Sequence, residues 1–384
     1  MLGNAPSVAL VHDYLNQLGG AERCAVQLTR MWPEAPLYTS LYRADSTFPH
    51  FRQVDVRTTW LDRVPMDSGF RSLLPLYPAA FHGLGVLDSP LVLSSSSGWA
   101  HGVQTAPGSF HAVYCHTPAR WLYGADYLGA SWSAHAARPL LRALRRWDVA
   151  AARRADLYIA NGAVVRDRVR RLYGREAAIV HPPVDVDRFM PRPRGERLLV
   201  VSRLLPYKRV DLVVAAATKA GIGLDVVGCG PELESLRTRA GPTVRFHGGV
   251  DDGAVRELFE SCRAFVLPGN EEFGMTPVEA QAAGKPVIAF AAGGALETVR
   301  EGRSGVFFHQ PTPDALLEAV RRCDDLAADP DELACGARAF SSEAFVERLR
   351  TVLHEAGAPD PGWPVAAVPA GSWSGNGRAV RTRE

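Results

Sequence analysis

AFVLPGNEEFGMTPVEAQAAGKPVIAFAAGGALETVR, residues Ala264 to Arg300, decides the fold. Its first five residues are a short apolar run bounded by Pro268 and Gly269, the pattern of a strand buried on both faces. Gly269 to Met275 reads as a loop, Thr276 to Ala283 as a helix, Pro286 to Phe290 as a second strand, and Gly293-Gly294 as the lead into another helix. Strand, loop, helix and strand in that order make half of a parallel sheet, and ligands of open α/β sheets bind at the carboxyl ends of the strands. Glu271, Glu272 and the backbone amides of Phe273, Gly274 and Met275 are therefore presented where binding happens. Glu271 lies on the loop and Glu279 in the following helix, so the two carboxylates can grip two parts of one hydroxyl-rich ligand. Thr276-Pro277-Val278-Glu279 also reads as a capping box with an early helical proline, which would account for Glu279 without any ligand.

Two glutamates separated by seven residues within EEFGMTPVEAQAAGKPVIA, followed by GGALETV, resemble the motif of retaining glycosyltransferases of family 4. The resemblance implies the GT-B fold: α/β, two facing Rossmann-like domains with parallel sheets and an interdomain cleft. It implies that Glu271 hydrogen-bonds the donor sugar, that the amides of Phe273, Gly274 and Met275 meet the sugar and phosphates, and that Glu279 holds the ribose. On that division, losing Glu271 should leave free nucleoside diphosphate affinity nearly intact and losing Glu279 should weaken it.

Length and composition agree with such a fold. A chain of 384 residues suits two domains, and 47% apolar with 22% charged residues marks a globular protein. No apolar run approaches the roughly 20 residues of a membrane span, and MLGNAPSVALVHDY has no basic flank ahead of a long apolar core, so neither a span nor a signal peptide is expected. Cys24, Cys115, Cys229, Cys262, Cys323 and Cys335 are scattered without a CxxC, as reduced thiols in or near the core of a cytoplasmic protein would be. Lys208, Lys219 and Lys285 are the only lysines, so the position of each is informative.

The first domain is expected over residues 1–190. A strand at Ser7 to His12 precedes Gly19-Gly20 and a helix to about Met31, a glycine-led helix start whose amides can approach an anion. In the resembled family this loop touches the donor's distal phosphate, which points to Gly20. Further strands are expected at Pro36 to Tyr42 and Val54 to Thr59, with helical spacing at Phe70, Leu73, Leu74 and Tyr77; Phe70 and Arg71 are acceptor-side candidates by resemblance. LVLSSSSGWAHGV, residues 91–103, reads as a strand ending in serines, and AVYCHTPARWLYG, residues 112–124, as a strand ending at His116. A histidine there sits at a mouth, although polar strand ends also cap sheets. YCHTPARWLY resembles the family's catalytic edge, where this histidine bonds the sugar near its reacting centre, and Arg120, Trp121 and Tyr123 would line the acceptor side. RPLLRALRRWDVAAARR, residues 138–154, carries six arginines and is either a solvated helix face or a peripheral contact with an anionic membrane.

Pro182 to Phe189, PPVDVDRF, resembles the family's interdomain crossover; its Asp-Val-Asp is not read as a metal site. The second domain, residues 191–357, opens on RLLVVSRLLPYKRVD, where Arg203 at a strand end and Lys208 at a helix start form a cationic clamp for a diphosphate. Gly228-Cys229-Gly230 lacks the third glycine of a dinucleotide fingerprint, so no NAD is expected. In the resembled family the loop corresponding to His247 to Val250 lies near the nucleobase. Residues 358–384 read as a disordered tail, and the last helix could pack back on the first domain.

The expected activity is retaining transfer of a hexose, with mannose from GDP-mannose favoured, to a glycan or lipid-linked acceptor in cell-envelope or polysaccharide assembly. His116, Glu271, Arg203 and Lys208 would carry it, without metal, organic cofactor or nucleic acid. A UDP-sugar-dependent enzyme with a small soluble acceptor, an epimerase or phosphorylase on the same fold, and a non-catalytic nucleotide-sugar binder are the alternatives.

Overall fold

Short aliphatic runs flanked by helix starts build the architecture. In a computed structural model, which describes residues 6–64, 73, 75–123 and 138–362, Val8–His12 forms strand β1 with all five residues buried. Burial on both faces is what parallel strands covered by helices require. The other strands are β2 (Leu37–Thr39), β3 (Val56–Thr58), β4 (Val86–Leu87), β5 (Leu91–Ser96), β6 (Gln104–Thr105), β7 (Phe110–Cys115), β8 (Leu157–Ala160), β9 (Ala177–Ile179), β10 (Leu198–Val201), β11 (Leu224–Val227), β12 (Val244–Gly248), β13 (Ala264–Leu267), β14 (Val287–Phe290) and β15 (Gly305–Phe308).

The chain forms two units, one from the residues up to His181 together with the segment starting at Phe345, the other from Pro182–Ala344. The first holds a seven-stranded sheet in the order β3-β2-β1-β5-β7-β8-β9, the second a six-stranded sheet in the order β12-β11-β10-β13-β14-β15. Every pairing in both sheets is parallel. Each is a doubly wound α/β layer. In the first sheet the winding reverses between β1 and β5, where His12 lies in register with Ser95. In the second it reverses between β10 and β13. Ligands of such sheets bind at these switch points.

The strand read within residues 91–103 ends in the serines as expected, at Ser96, where the buried Asp13 carboxylate accepts the amides of Ser97, Trp99 and Ala100, the last two at 2.8 Å, and curls the chain away. Several sequence expectations are corrected. The helix starting at Thr276 instead runs Met275–Ala282 with Gly274 as N-cap and no side-chain cap, so the capping box does not form. Strand β15 and the helix Pro330–Ala337 were not anticipated. Cys229 and Cys335 are exposed, whereas the other four cysteines are buried. Phe345, near the start of the last helix, sets its ring edge-on against Tyr114 of β7 with centroids 5.6 Å apart. Phe70 and Arg71, and the proposed tail from residue 363 onward, lie outside the described residues.

Lys285 illustrates how a rare residue type can be structural. Its side chain is buried after the helix Met275–Ala282, and Nζ donates to the carbonyls of Arg192, at 2.9 Å, and Pro193. It pins the segment leading into β10.

Candidate functional site

In the second unit the two loops at the β10/β13 switch point carry the residues singled out from the sequence. Arg203 follows β10 and is exposed; its carbonyl accepts from Leu205 N at 2.9 Å, and its guanidinium has no hydrogen-bond or ion-pair partner among the described residues. A 3-10 turn, Pro206–Lys208, then brings Lys208 back, and its Nζ lies 2.6 Å from Glu271 Oε1 on the loop after β13. Lys208 does not start an α-helix as expected. Arg209 intervenes with φ 54°, a left-handed conformation rare for a non-glycine residue, and the helix begins at Val210. The turn therefore places a cation and a carboxylate in direct contact, with the exposed Arg203 earlier on the same loop.

Backbone packing holds these loops. Gly228, at φ 130°, lies so close to β10 that a Cβ there would stand 1.9 Å from the Ser202 carbonyl oxygen. The glycines of Gly228-Cys229-Gly230 thus serve strand contact, which explains the pattern without a dinucleotide. Gly294 plays the same part beneath Glu271: its amide donates to the Glu271 carbonyl at 2.8 Å, and a Cβ would stand 2.2 Å from the Phe273 backbone. The Phe273 ring is buried and packs on Phe340. With no side-chain cap at Gly274, the first-turn amides of Met275 and Thr276 have no side-chain acceptor at this helix start, an arrangement suited to an anion.

Glu279 has a partner that sequence reading missed. Arg188, the basic residue of PPVDVDRF, donates from Nη2 to Glu279 Oε1 at 3.1 Å, with both side chains largely buried and the guanidinium stacked over Phe189. The only hint in the sequence was a single arginine behind two aspartates in a proline-led segment. Asp187 pairs with Arg338 at 3.2 Å. His247 turns its Nε2 to Asp225 Oδ1 at 2.8 Å, so its side chain is engaged with β11. Burial would raise the Asp225 carboxyl, but hydrogen bonds from Arg197 and His247 outweigh it and hold it below the usual range.

In the first unit the serines ending β5 face histidines. Ser94 pairs with His111 and Ser95 with both His12 and His116, all within 2.8–3.0 Å. His116 is buried at the end of β7, and desolvation, reinforced by His12, pushes its pKa down to about 3, so the ring is neutral at ordinary pH. Gly20 is the first residue of the helix Gly20–Met31, whose N-cap Gly19 supplies no side-chain bond. That first turn already carries its own buried carboxylate, Glu22.

The acceptor-side candidates divide. Trp121 is packed against Trp99 with centroids 5.1 Å apart, and the Tyr123 hydroxyl donates to the buried Asp148 at 2.7 Å, so both rings belong to the core cluster and the Tyr123 hydroxyl is committed there. Arg120 is half-buried. Asp13, which sequence reading passed over, organises the serine loop through its three amide bonds.

Comparison with known proteins agrees with this architecture. Residues 18–188 match the family described as Glycosyltransferase Family 4 and residues 189–340 the family Glycosyl transferases group 1. A D-inositol 3-phosphate glycosyltransferase of Geodermatophilus obscurus is 30% identical over 70% of this chain and 72% of its own length. A GDP-mannose-dependent alpha-(1-6)-phosphatidylinositol monomannoside mannosyltransferase of Mycolicibacterium smegmatis is 32% identical over 47% of this chain and 55% of its own. Among solved structures, Anabaena HepE in complex with UDP superposes with a TM-score of 0.67 at 19% identity, covering 91% of this chain and 100% of that one, a likeness of fold. The chain belongs to glycosyltransferase family 4, with the paired Rossmann-like domains of the GT-B fold, and is a glycosyltransferase that uses a nucleotide-sugar donor.

Proposed function

We propose that this enzyme transfers mannose from GDP-mannose, with retention of configuration, to a glycan or lipid-linked acceptor in cell-envelope assembly. The observation that carries the reading is the 2.6 Å Lys208–Glu271 pair, on the loops at the switch point of the second sheet, the first of which also carries the exposed Arg203. Two cations there suit a diphosphate, and the neighbouring carboxylate suits sugar hydroxyls. Arg203, Lys208 and the amides of Phe273, Gly274 and Met275 would stabilise charge growing on the leaving diphosphate. Glu279, held by Arg188, is assigned to the ribose, Gly20 to the distal phosphate, and His116, as a neutral imidazole, to a donor-sugar hydroxyl. Glu271 is engaged with Lys208 and Glu279 with Arg188, so departure and attack on one face of the sugar is the mechanism we favour over a covalent intermediate.

The name of the mycolicibacterial relative supports GDP-mannose as donor. Membrane contact is assigned to the helix Arg138–Ala152 and the residues after it. There Arg138, Arg142, Arg146 and Arg153 face outward beside the half-exposed Leu140, while Arg145 and Arg154 are bound to the carbonyls of Leu122 and Gly102. Such a surface suits the anionic inner face of a cell membrane, and we place the enzyme in the cytoplasm. A second reading, a small soluble acceptor, is favoured by the relatives named for D-inositol 3-phosphate.

Thermal shifts with GDP and UDP, both in EDTA, test the donor. A nucleotide at 100 times its dissociation constant stabilises the native state by about 2.7 kcal/mol. GDP should give the larger shift, and turnover of GDP-mannose with membrane extract should persist in the chelator. A larger UDP shift overturns mannose, and transfer to free inositol phosphate in place of lipid selects the second reading.

A further inference from the structure

Ser95 carries one hydroxyl proton, yet two imidazole nitrogens lean on it. His12 Nδ1 lies 3.0 Å from Ser95 Oγ and His116 Nε2 lies 2.8 Å from the same oxygen, with all three residues buried. A hydroxyl that donates to one neighbour accepts from the other, so the direction of this chain decides which nitrogen of the neutral His116 is bare. Glu22 sets the direction. Its Oε1 lies 3.8 Å from His12 Nε2 and accepts from Gln17 Nε2 at 3.0 Å. A bare ring nitrogen facing that oxygen would be repelled and an N–H attracted. His12 therefore holds its proton on Nε2, and its Nδ1 takes the Ser95 proton. Ser95 Oγ in turn accepts from His116 Nε2–H, which leaves His116 Nδ1 bare.

We propose that Glu22, acting through His12 and Ser95, fixes His116 in the tautomer protonated on Nε2, so that Nδ1 accepts a hydrogen bond from a sugar hydroxyl of the substrate. The sugar contact rests on the assignment of His116 made above; the tautomer does not. Burial that keeps His116 neutral is what makes a single tautomer meaningful. Glu22, His12 and Ser95 are positioning residues. The consequence is a specificity rule: at this position the substrate must present a hydroxyl, and an ether or fluorine, which cannot donate, is rejected.

Histidine-selective 15N labelling of the ligand-free, full-length protein near pH 7.5 tests the tautomer, with the His116 signals assigned by their loss in His116→Asn. The expected spectrum has a pyrrole-like Nε2 and a pyridine-like Nδ1. The reverse pattern, which a doubly protonated His12 would also produce, or an averaged pair overturns the relay. In Glu22→Gln the amide can donate to His12 Nε2 and turn the chain round, so His116 should move toward the Nδ1–H form; an unchanged His116 removes Glu22 from the scheme. Should that variant fail to fold, the wild-type spectrum still decides. Donors fluorinated at one hydroxyl at a time test the contact. One position should lose about tenfold in kcat/KM with the wild type and show no such selective loss with His116→Asn. If none couples while the tautomer is as stated, the sugar assignment of His116 fails and the relay stands.

Discussion

Glu271→Gln should separate binding from catalysis in opposite directions. The substitution keeps the shape of the side chain and its capacity to hydrogen-bond a sugar but removes the charge that holds Lys208 at 2.6 Å, in a pair whose side chains are 14% and 20% exposed. A diphosphate that uses Lys208 must compete with Glu271 for the ammonium. A charge-assisted hydrogen bond is worth about 1.5–3 kcal/mol net. Freeing Lys208 should therefore tighten free nucleoside diphosphate binding by roughly 10- to 150-fold, at 1.4 kcal/mol per factor of ten. The assignment of Glu271 to the sugar by resemblance implied nearly unchanged affinity, and the ion pair revises that expectation. Turnover should fall in the same variant, because the anchor for the sugar has lost its charge. Calorimetric titration with GDP and UDP, alongside kcat/KM for the donor, measures both. Unchanged or weaker diphosphate binding would falsify the competition and detach Lys208 from the diphosphate.

Three further outcomes follow from particular contacts. Arg188→Met removes the guanidinium paired with the buried Glu279 carboxylate and should cost about 3 kcal/mol in urea unfolding, part of which Arg188→Met/Glu279→Gln recovers; a loss with no recovery in the double variant would deny the coupling. His111 and His116, both pushed down to about 3 by burial, remain neutral in the folded protein while the unfolded chain takes up protons below about pH 6.5. Stability is therefore full above that pH and should fall between pH 6.5 and 5 by up to about 2.7 kcal/mol per pH unit for the two together, and a flat profile there would refute the buried neutral state. A thiol reagent should modify Cys229 and Cys335 quickly in the native protein and the other four cysteines only on unfolding; peptide mapping that finds Cys24 or Cys262 among the fast sites would contradict their burial.

Much of this protein was legible before any coordinates. The strand positions were, because a parallel strand buried on both faces needs a short unbroken apolar run, and AFVL, LLVV and VALVH each supply one. So was the loop that follows AFVL, since glycine and acidic residues directly behind such a run interrupt its apolar pattern. Local pattern failed where a partner distant in sequence outweighed it. Thr276 and Glu279 have the spacing of a capping box, yet Glu279 is bonded to Arg188, 91 residues away, and the helix begins without a cap. Ser94 to Ser96 continue their strand, and what ends it is Asp13, which accepts the amides of Ser97, Trp99 and Ala100 from 84 to 87 residues away. Lys208 and Glu271 were each singled out from their own neighbourhoods. That they hold one another, and that Glu22, His12 and Ser95 orient His116, depended on which strands lie side at each switch point. The sequence by itself determined which segments become buried strands, because that requirement is local and periodic; the pairing of charges and the direction of hydrogen bonds were decided only by tertiary structure, because they depend on distances between residues that the chain brings together from far apart.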